Sequence, residues 1–243
     1  MTNAIIYGGA SGLALLIGAW SGIYFKFKRK TIARFMAFGS GLLVCALTFG
    51  LMEEAFNQGG FDAAILGFVL GGLVFIGGDY LIHIFGGRRH KRTQNLVPKV
   101  ESTGLVITLG ALLDGIPESI ALGIAIFNGA GTGLLMLIAI ILSNFPEGIS
   151  SIRGLRKENF SNRQIYSIWM VVAVLAFATT ILSFLFLHDI NPNIIGSIEA
   201  FAAGAILAML ADSMMPEAFE EGGFSIGALT VAGFLLAFIL AKI

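Results

Sequence analysis

The chain has 243 residues, 56% hydrophobic and 12% charged, with 15 Lys and Arg against 15 Asp and Glu and a formal net charge of zero. That balance excludes an ordinary soluble domain and gives no electrostatic basis for a nucleic-acid partner. The single cysteine, Cys45, excludes an internal disulfide and any cysteine cluster for a metal.

Eight apolar stretches recur, at 4–25, 32–52, 63–86, 103–127, 131–152, 165–187, 194–216 and 223–242. Each is near the ~20 residues that a helix needs to cross a bilayer. The first has no basic segment ahead of it and "KFKRK" (26–30) behind it, the order of a retained anchor whose start lies outside. Of the 15 Lys and Arg, all but Lys242 fall within 26–34, 88–99 or 153–163, after the first, third and fifth stretches. These segments share one face of the membrane, which the positive-inside rule makes cytoplasmic, so both termini are expected outside a cell (inner or plasma) membrane. The seventh connection, "PEAFEEGGF" (216–224), falls on the same face but is acidic.

The second stretch ends in a segment that returns later in the chain. At an offset of 163, Ala37, Phe38, Gly41 and Leu47 match Ala200, Phe201, Gly204 and Leu210, and "EAFNQGGF" (54–61) matches "EAFEEGGF" (217–224). The copies are five spans apart, so they run through the membrane in opposite senses, as in alternating-access transporters. The expected fold is all-α: one polytopic domain over 1–243 of eight transmembrane helices in a 3+2+3 arrangement. Its inverted repeats cover about 4–86 and 165–242, around a central pair at 103–152.

In the third stretch Asp79 and His83 are one turn apart, placed for a structural pair or for a contact of Asp79 with Arg88 or Arg89; a proton-linked role is the alternative. The fourth and fifth carry the chemistry. "DGIPESIA" (114–121) and "SNFPEGIS" (143–150) align at an offset of 29, pairing Asp114 with Ser143, Pro117 with Pro146 and Glu118 with Glu147 at one depth. Each proline removes the hydrogen bond to a carbonyl four residues back, that of Leu113 or Leu142. In lipid such a carbonyl needs another partner, and a cation or water can serve. The i,i+4 spacing stacks Asp114 on Glu118 and Ser143 on Glu147, and Ser143, Asn144, Glu147 and Ser151 extend one polar line.

An unpaired carboxylate at mid-membrane costs on the order of 3 kcal/mol or more. No Lys or Arg lies in the central part of any span, so Asp114, Glu118 and Glu147 are either neutral or share a cation. With Ser143 and Asn144 they form an oxygen-rich donor set for a divalent ion. The plainer reading is a pair of proline kinks, each with a carboxyl bonded to a neighbouring helix; two registered copies on adjacent spans argue against it. Asp212, with Met209, Met214 and Met215, closes the seventh stretch, where methionine reads as packing, with a soft stop on an exit path as the alternative. Glu217, Glu220 and Glu221 follow it as a solvated loop or a cation exit, and Glu53 and Glu54 hold the mirrored place at the other face.

These motifs resemble the paired H-N-x-P-E-G motifs of the ZIP metal-ion transporters, and "MLADSMMPEAFEEGG" (209–223) and "GLMEEAF" (50–56) resemble the family's seventh- and second-span ends. The resemblance spans essentially the whole chain. It implies transport of a divalent metal by alternating access and a homodimer as the usual assembly. The metal ligands would be Asp114, Glu118, Ser143, Asn144 and Glu147 on a mobile group of the first, fourth, fifth and sixth spans. The departures are specific: Asp114-Gly115 stands where the family usually has His-Asn, Ser143 stands where it usually has His, 165–187 holds no acid, and 88–99 has only His90. Zinc is therefore the family's expectation, while an all-oxygen ligand set favours Mn²⁺ or Fe²⁺. The ion is cargo rather than cofactor. The competing functions are a membrane metal sensor or scaffold that does not transport, and an intramembrane enzyme, for which no H-E-x-x-H, nucleophile-elbow or Walker-type motif is present.

Overall fold

The computed structural model describes residues 1–84, 104–187 and 190–242. Among them the chain forms nine α-helices: α1 (Thr2–Tyr24), α2 (Arg29–Cys45), α3 (Glu53–Ile84), α4 (Gly104–Asn128), α5 (Ala130–Lys157), α6 (Asn162–Phe186), α7 (Pro192–Met209), α8 (Met215–Gly222) and α9 (Ser225–Lys242). Two π-helical segments, Ala46–Met52 and Leu210–Met214, join α2 to α3 and α7 to α8. Local chemistry sets several starts. Ser161 and Gln164 form a capping box at α6, and Asn191 caps α7 with Pro192 in its first turn, where a missing N–H costs nothing.

Seven helical stretches are long and apolar enough to cross a membrane, one fewer than the sequence predicted. The difference lies at Arg29–Ile82, which runs on as one 54-residue stretch. The segment "EEAFNQGGF" holds no proline, so it stays helical except at Gly60, whose φ of 71° and ψ of −173° leave the helical region. Its repeat counterpart Gly223 has the same φ of 71°, with ψ of −151°. Only glycine takes this conformation without strain.

The π segments also fall in corresponding stretches of the repeat, a detail that hydropathy does not register. A π turn displaces the i→i+4 ladder and leaves a carbonyl short of its N–H. Each segment carries a hydroxyl bonded back to a carbonyl four residues earlier: Thr48 Oγ1 to the Val44 carbonyl at 2.7 Å, and Ser213 Oγ to the Met209 carbonyl at 2.8 Å.

Packing pairs α3 with α7 and α2 with α9 on one side, and α1 with α5 and α4 with α6 on the other; α2–α5 and α4–α7 contacts join the two groups. The first set joins helices from the two ends of the chain. A Cβ on Gly41 of α2 would strike the Thr230 carbonyl of α9, and one on Gly204 of α7 would strike the Phe68 carbonyl of α3. Conversely, Gly233 receives the Phe38 carbonyl and Gly71 that of Phe201. These small residues let backbones approach, which drives helix association where lipid removes the hydrophobic term. The helices α4 and α5 are well covered, with 67% and 61% of their apolar windows buried, as is the stretch Pro192–Gly222 at 61%, against 17% for α9. The outer faces of α3, α6 and α9 are covered with exposed aliphatic residues such as Leu66, Val174 and Leu235, as a surface solvated by hydrocarbon requires.

Candidate metal centre

The two proline motifs meet at the centre of the bundle. Both helices run through their prolines, Pro117 in α4 and Pro146 in α5. Glu118 is 2% exposed and Asp114 one turn before it is 3% exposed. Ser143 of α5 donates its hydroxyl to Glu118 Oε1 at 3.2 Å and also lies 3.0 Å from the Ile140 carbonyl. The other oxygen, Glu118 Oε2, is buried with no hydrogen-bond partner among the described residues. Glu147, half-buried one turn beyond Ser143, is near enough for its charge to act on Glu118. Glu118 and Glu147 thus lie within electrostatic range of each other across the α4–α5 contact, with the Ser143 hydroxyl on Glu118.

Asn144 is turned toward α1, and its Nδ2 donates to the Ser11 carbonyl at 3.4 Å. The contact is close because glycine lies on both faces: Gly148 sits against the Leu15 carbonyl and Ala19 N–H of α1, and Gly18 against the Phe145 carbonyl. The last residue of "SNFPEG" therefore serves packing. The carbonyl freed by Pro146, that of Leu142, lies against Gly39 of α2, where a Cβ would come within 2.8 Å of it. On α4, Ser119 Oγ donates to the Gly115 carbonyl at 2.6 Å, and Thr180 of α6 donates to the Ser119 carbonyl at 3.2 Å.

Among the described residues no three His, Cys, Asp or Glu side chains converge as a ready metal cage. The convergence is of Glu118, Glu147 and Ser143; Asp114 stacks below Glu118 on the same helix, and Asn144 reaches the neighbouring α1. The side chains of His83, Arg88 and Arg89, invoked for Asp79, lie outside the described residues, as does His90.

Below the centre a cleft opens between α2, α5 and α8, lined by Met36, Ser150, Arg153 and Glu217 together with Arg29 and Glu221. Arg29 and Glu221 pair across it at 2.9 Å, and Arg153 donates to the Phe27 carbonyl at 2.8 Å. The cationic segments 26–34 and 153–163 thus surround one mouth of the bundle, with Glu217 and Glu221 between them.

The sequence reading passed over Glu199. It is 0% exposed on α7 and takes hydrogen bonds from Asn128 of α4 at 2.7 Å and Gln58 of α3 at 3.5 Å. The signal was present, since Glu199 is a carboxylate inside the apolar stretch 194–216 and the argument made for Glu118 applies to it equally.

Comparison with known proteins places these features in context. A family model described as "ZIP Zinc transporter" matches residues 87–241. A protein of Salmonella arizonae named "Zinc transporter ZupT" is 26% identical over 227 residues, covering 86% of this chain and 84% of its own length. A protein of the same name from Shigella flexneri serotype 5b is 27% identical over 221 residues, again covering 86% and 84%.

Proposed function

The chain belongs to the ZIP family of zinc transporters, and from that premise we propose that it carries divalent metal ions across a cell membrane, by alternating access, through the carboxylate centre between α4 and α5. The observation that carries this reading is Glu118: fully enclosed, bonded through one oxygen to Ser143, with its second oxygen unpartnered among the described residues and Glu147 beside it. A divalent ion satisfies that oxygen and offsets the repulsion between the two carboxylates. Asp114 and Asn144 complete the donor set. The Asn144 Nδ2 bond to Ser11 commits the amide nitrogen, so its oxygen is the atom available to metal. The sensor reading has no comparable support, and the family argues against an enzyme.

Gly60 and Gly223 are taken as matching reversal points, which divides Arg29–Ile82 into two spans and gives eight in a 3+2+3 inverted arrangement. The group α1, α4, α5 and α6 then moves against α2, α3, α7 and α9. The basic mouth faces the cytoplasm, both termini lie outside, and two copies form a homodimer. Cysteine labelling tests the orientation against a quiet background, because the native Cys45 is buried. Lys157→Cys, at an exposed position, is expected to react only with reagent supplied from the cytoplasmic side; reaction only from outside would invert the topology.

Metal flux into proteoliposomes containing the purified chain tests the function itself. Zinc is the ion named for the relatives, yet oxygen donors at 114 and 143 favour Mn²⁺ or Fe²⁺. Mn²⁺ is therefore expected to compete with Zn²⁺ at least equally in wild type, and Asp114→His to shift the preference toward Zn²⁺ by about tenfold, the equivalent of ~1.4 kcal/mol. A wild type strongly selective for zinc and indifferent to the substitution would refute the ligand argument.

A further inference from the structure

The end of the bundle away from Arg29 and Arg153 holds a second polar group that the central pair does not use. Glu199, two turns into α7, is completely buried. Asn128, the last residue of α4, donates Nδ2 to Glu199 Oε1 at 2.7 Å. Gln58 directs its Nε2 at three acceptors: Glu54 Oε1 at 3.1 Å, Asn128 Oδ1 at 3.3 Å and Glu199 Oε1 at 3.5 Å. Both amide nitrogens thus converge on one carboxylate oxygen. The other, Glu199 Oε2, is buried and has no partner among the described residues. Of the described lysines and arginines only Lys242 lies toward this end, and its ammonium sits over the Phe49 ring, 5.6 Å from the centroid.

Two carboxylates that share one amide, one of them completely buried and with no cationic side chain beside them among the described residues, make an electrostatically incomplete cluster. A buried acceptor left unsatisfied carries its full desolvation penalty, which is larger when the group is charged. A divalent ion would complete it. Glu199 offers both oxygens, Glu54 one or two, and a half-turn of either amide presents an oxygen in place of its nitrogen. With water these donors reach the six or more oxygens that hard divalent ions require. Neither sulfur nor imidazole is in the set, so the chemistry is that of Mn²⁺ or Mg²⁺ rather than of a soft metal. Ten residues of α4 separate Glu118 from Asn128, about 15 Å along the helix at 1.5 Å per residue, so one ion cannot occupy both places.

We infer that Glu54, Gln58, Asn128 and Glu199 form a second divalent-cation site, for a hard ion, at the end of the bundle opposite the basic mouth. Binding there does not depend on transport through the central pair, and the two are separable by experiment.

Mn²⁺ is the probe, with bound ion measured by equilibrium dialysis and by its spin-resonance signal on the purified full-length chain. A Glu118→Gln/Glu147→Gln variant removes the central carboxylates. It is expected to retain one Mn²⁺ per chain, and adding Glu199→Gln is expected to weaken that binding at least tenfold. Asn128→Asp, which adds a charge and an oxygen, is expected to tighten it several-fold. Equal Mn²⁺ binding with and without Glu199→Gln would overturn the site. Were Glu199→Gln not to fold, Asn128→Asp decides: tighter binding supports the site and unchanged or weaker binding overturns it. Failure of the transport reading has a different signature, an absence of flux in wild type with this Mn²⁺ still bound.

Discussion

Glu147→Gln is expected to reduce metal flux to that of protein-free vesicles while the chain still inserts and folds. The amide is close to isosteric, so packing around α5 is preserved. It retains a hydrogen-bonding oxygen, and a purely structural role for the side chain would survive the exchange. What it loses is charge, and at this centre charge is the scarce resource: Glu118 has one hydroxyl donor, one oxygen without a partner among the described residues, and Glu147 as its neighbouring acid. Removing one carboxylate from a small set of oxygen ligands weakens a divalent site by far more than tenfold, because the remaining donors can no longer offset the cost of dehydrating the ion. Glu118→Gln is expected to behave alike, since Ser143 can donate to an amide oxygen as it does to the carboxylate. Glu53→Gln, at an exposed position outside both clusters, serves as the control and should retain flux. Flux normalised to monodisperse protein makes the comparison, and wild-type activity in Glu147→Gln would end the claim that this carboxylate carries the ion.

Gly204→Leu and Gly41→Leu should each abolish folded protein, and to a similar degree. At Gly204 the first side-chain carbon would land on the Phe68 carbonyl, and at Gly41 on that of Thr230. Neither neighbour is a side chain that can rotate away, so the helix axes would have to separate. One excess methylene in a packed interior costs about 1–3 kcal/mol. A leucine pressed onto backbone costs several times that, against a total stability on the order of 5–15 kcal/mol for an ordinary domain. The similarity of the two effects follows from the crossed packing, in which α7 on α3 repeats α2 on α9. Gly77→Leu, on α3 with open space around it, is the matched control. Recovery of a monodisperse peak and the melting temperature in detergent are the measurements. A Gly204→Leu protein as stable as wild type would show that the close approach is not what holds α3 to α7.

The sequence by itself determined the class of protein and marked the helix pair on which the metal centre is proposed. Hydropathy is a local, additive property, so eight apolar stretches declare a membrane protein without any knowledge of what touches what. A proline beside a carboxylate is likewise local, and its repetition at an offset of 29 marked α4 and α5 before their contact was visible. The match at an offset of 163 was legible as well, and the two positive-φ glycines, Gly60 and Gly223, stood at equivalent places in it. The tertiary structure decided what depends on pairs distant in sequence. That Asn144 turns to Ser11, 133 residues away, and that α2 pairs with α9 across the repeat follow from backbone approach at glycines, whose partners no local pattern specifies. The π segments were hidden because a one-residue slip in a helical ladder leaves composition unchanged. Glu199 was legible as an anomaly and illegible as a site: its partners Gln58 and Asn128 lie 141 and 71 residues away, on helices that only folding brings beside it.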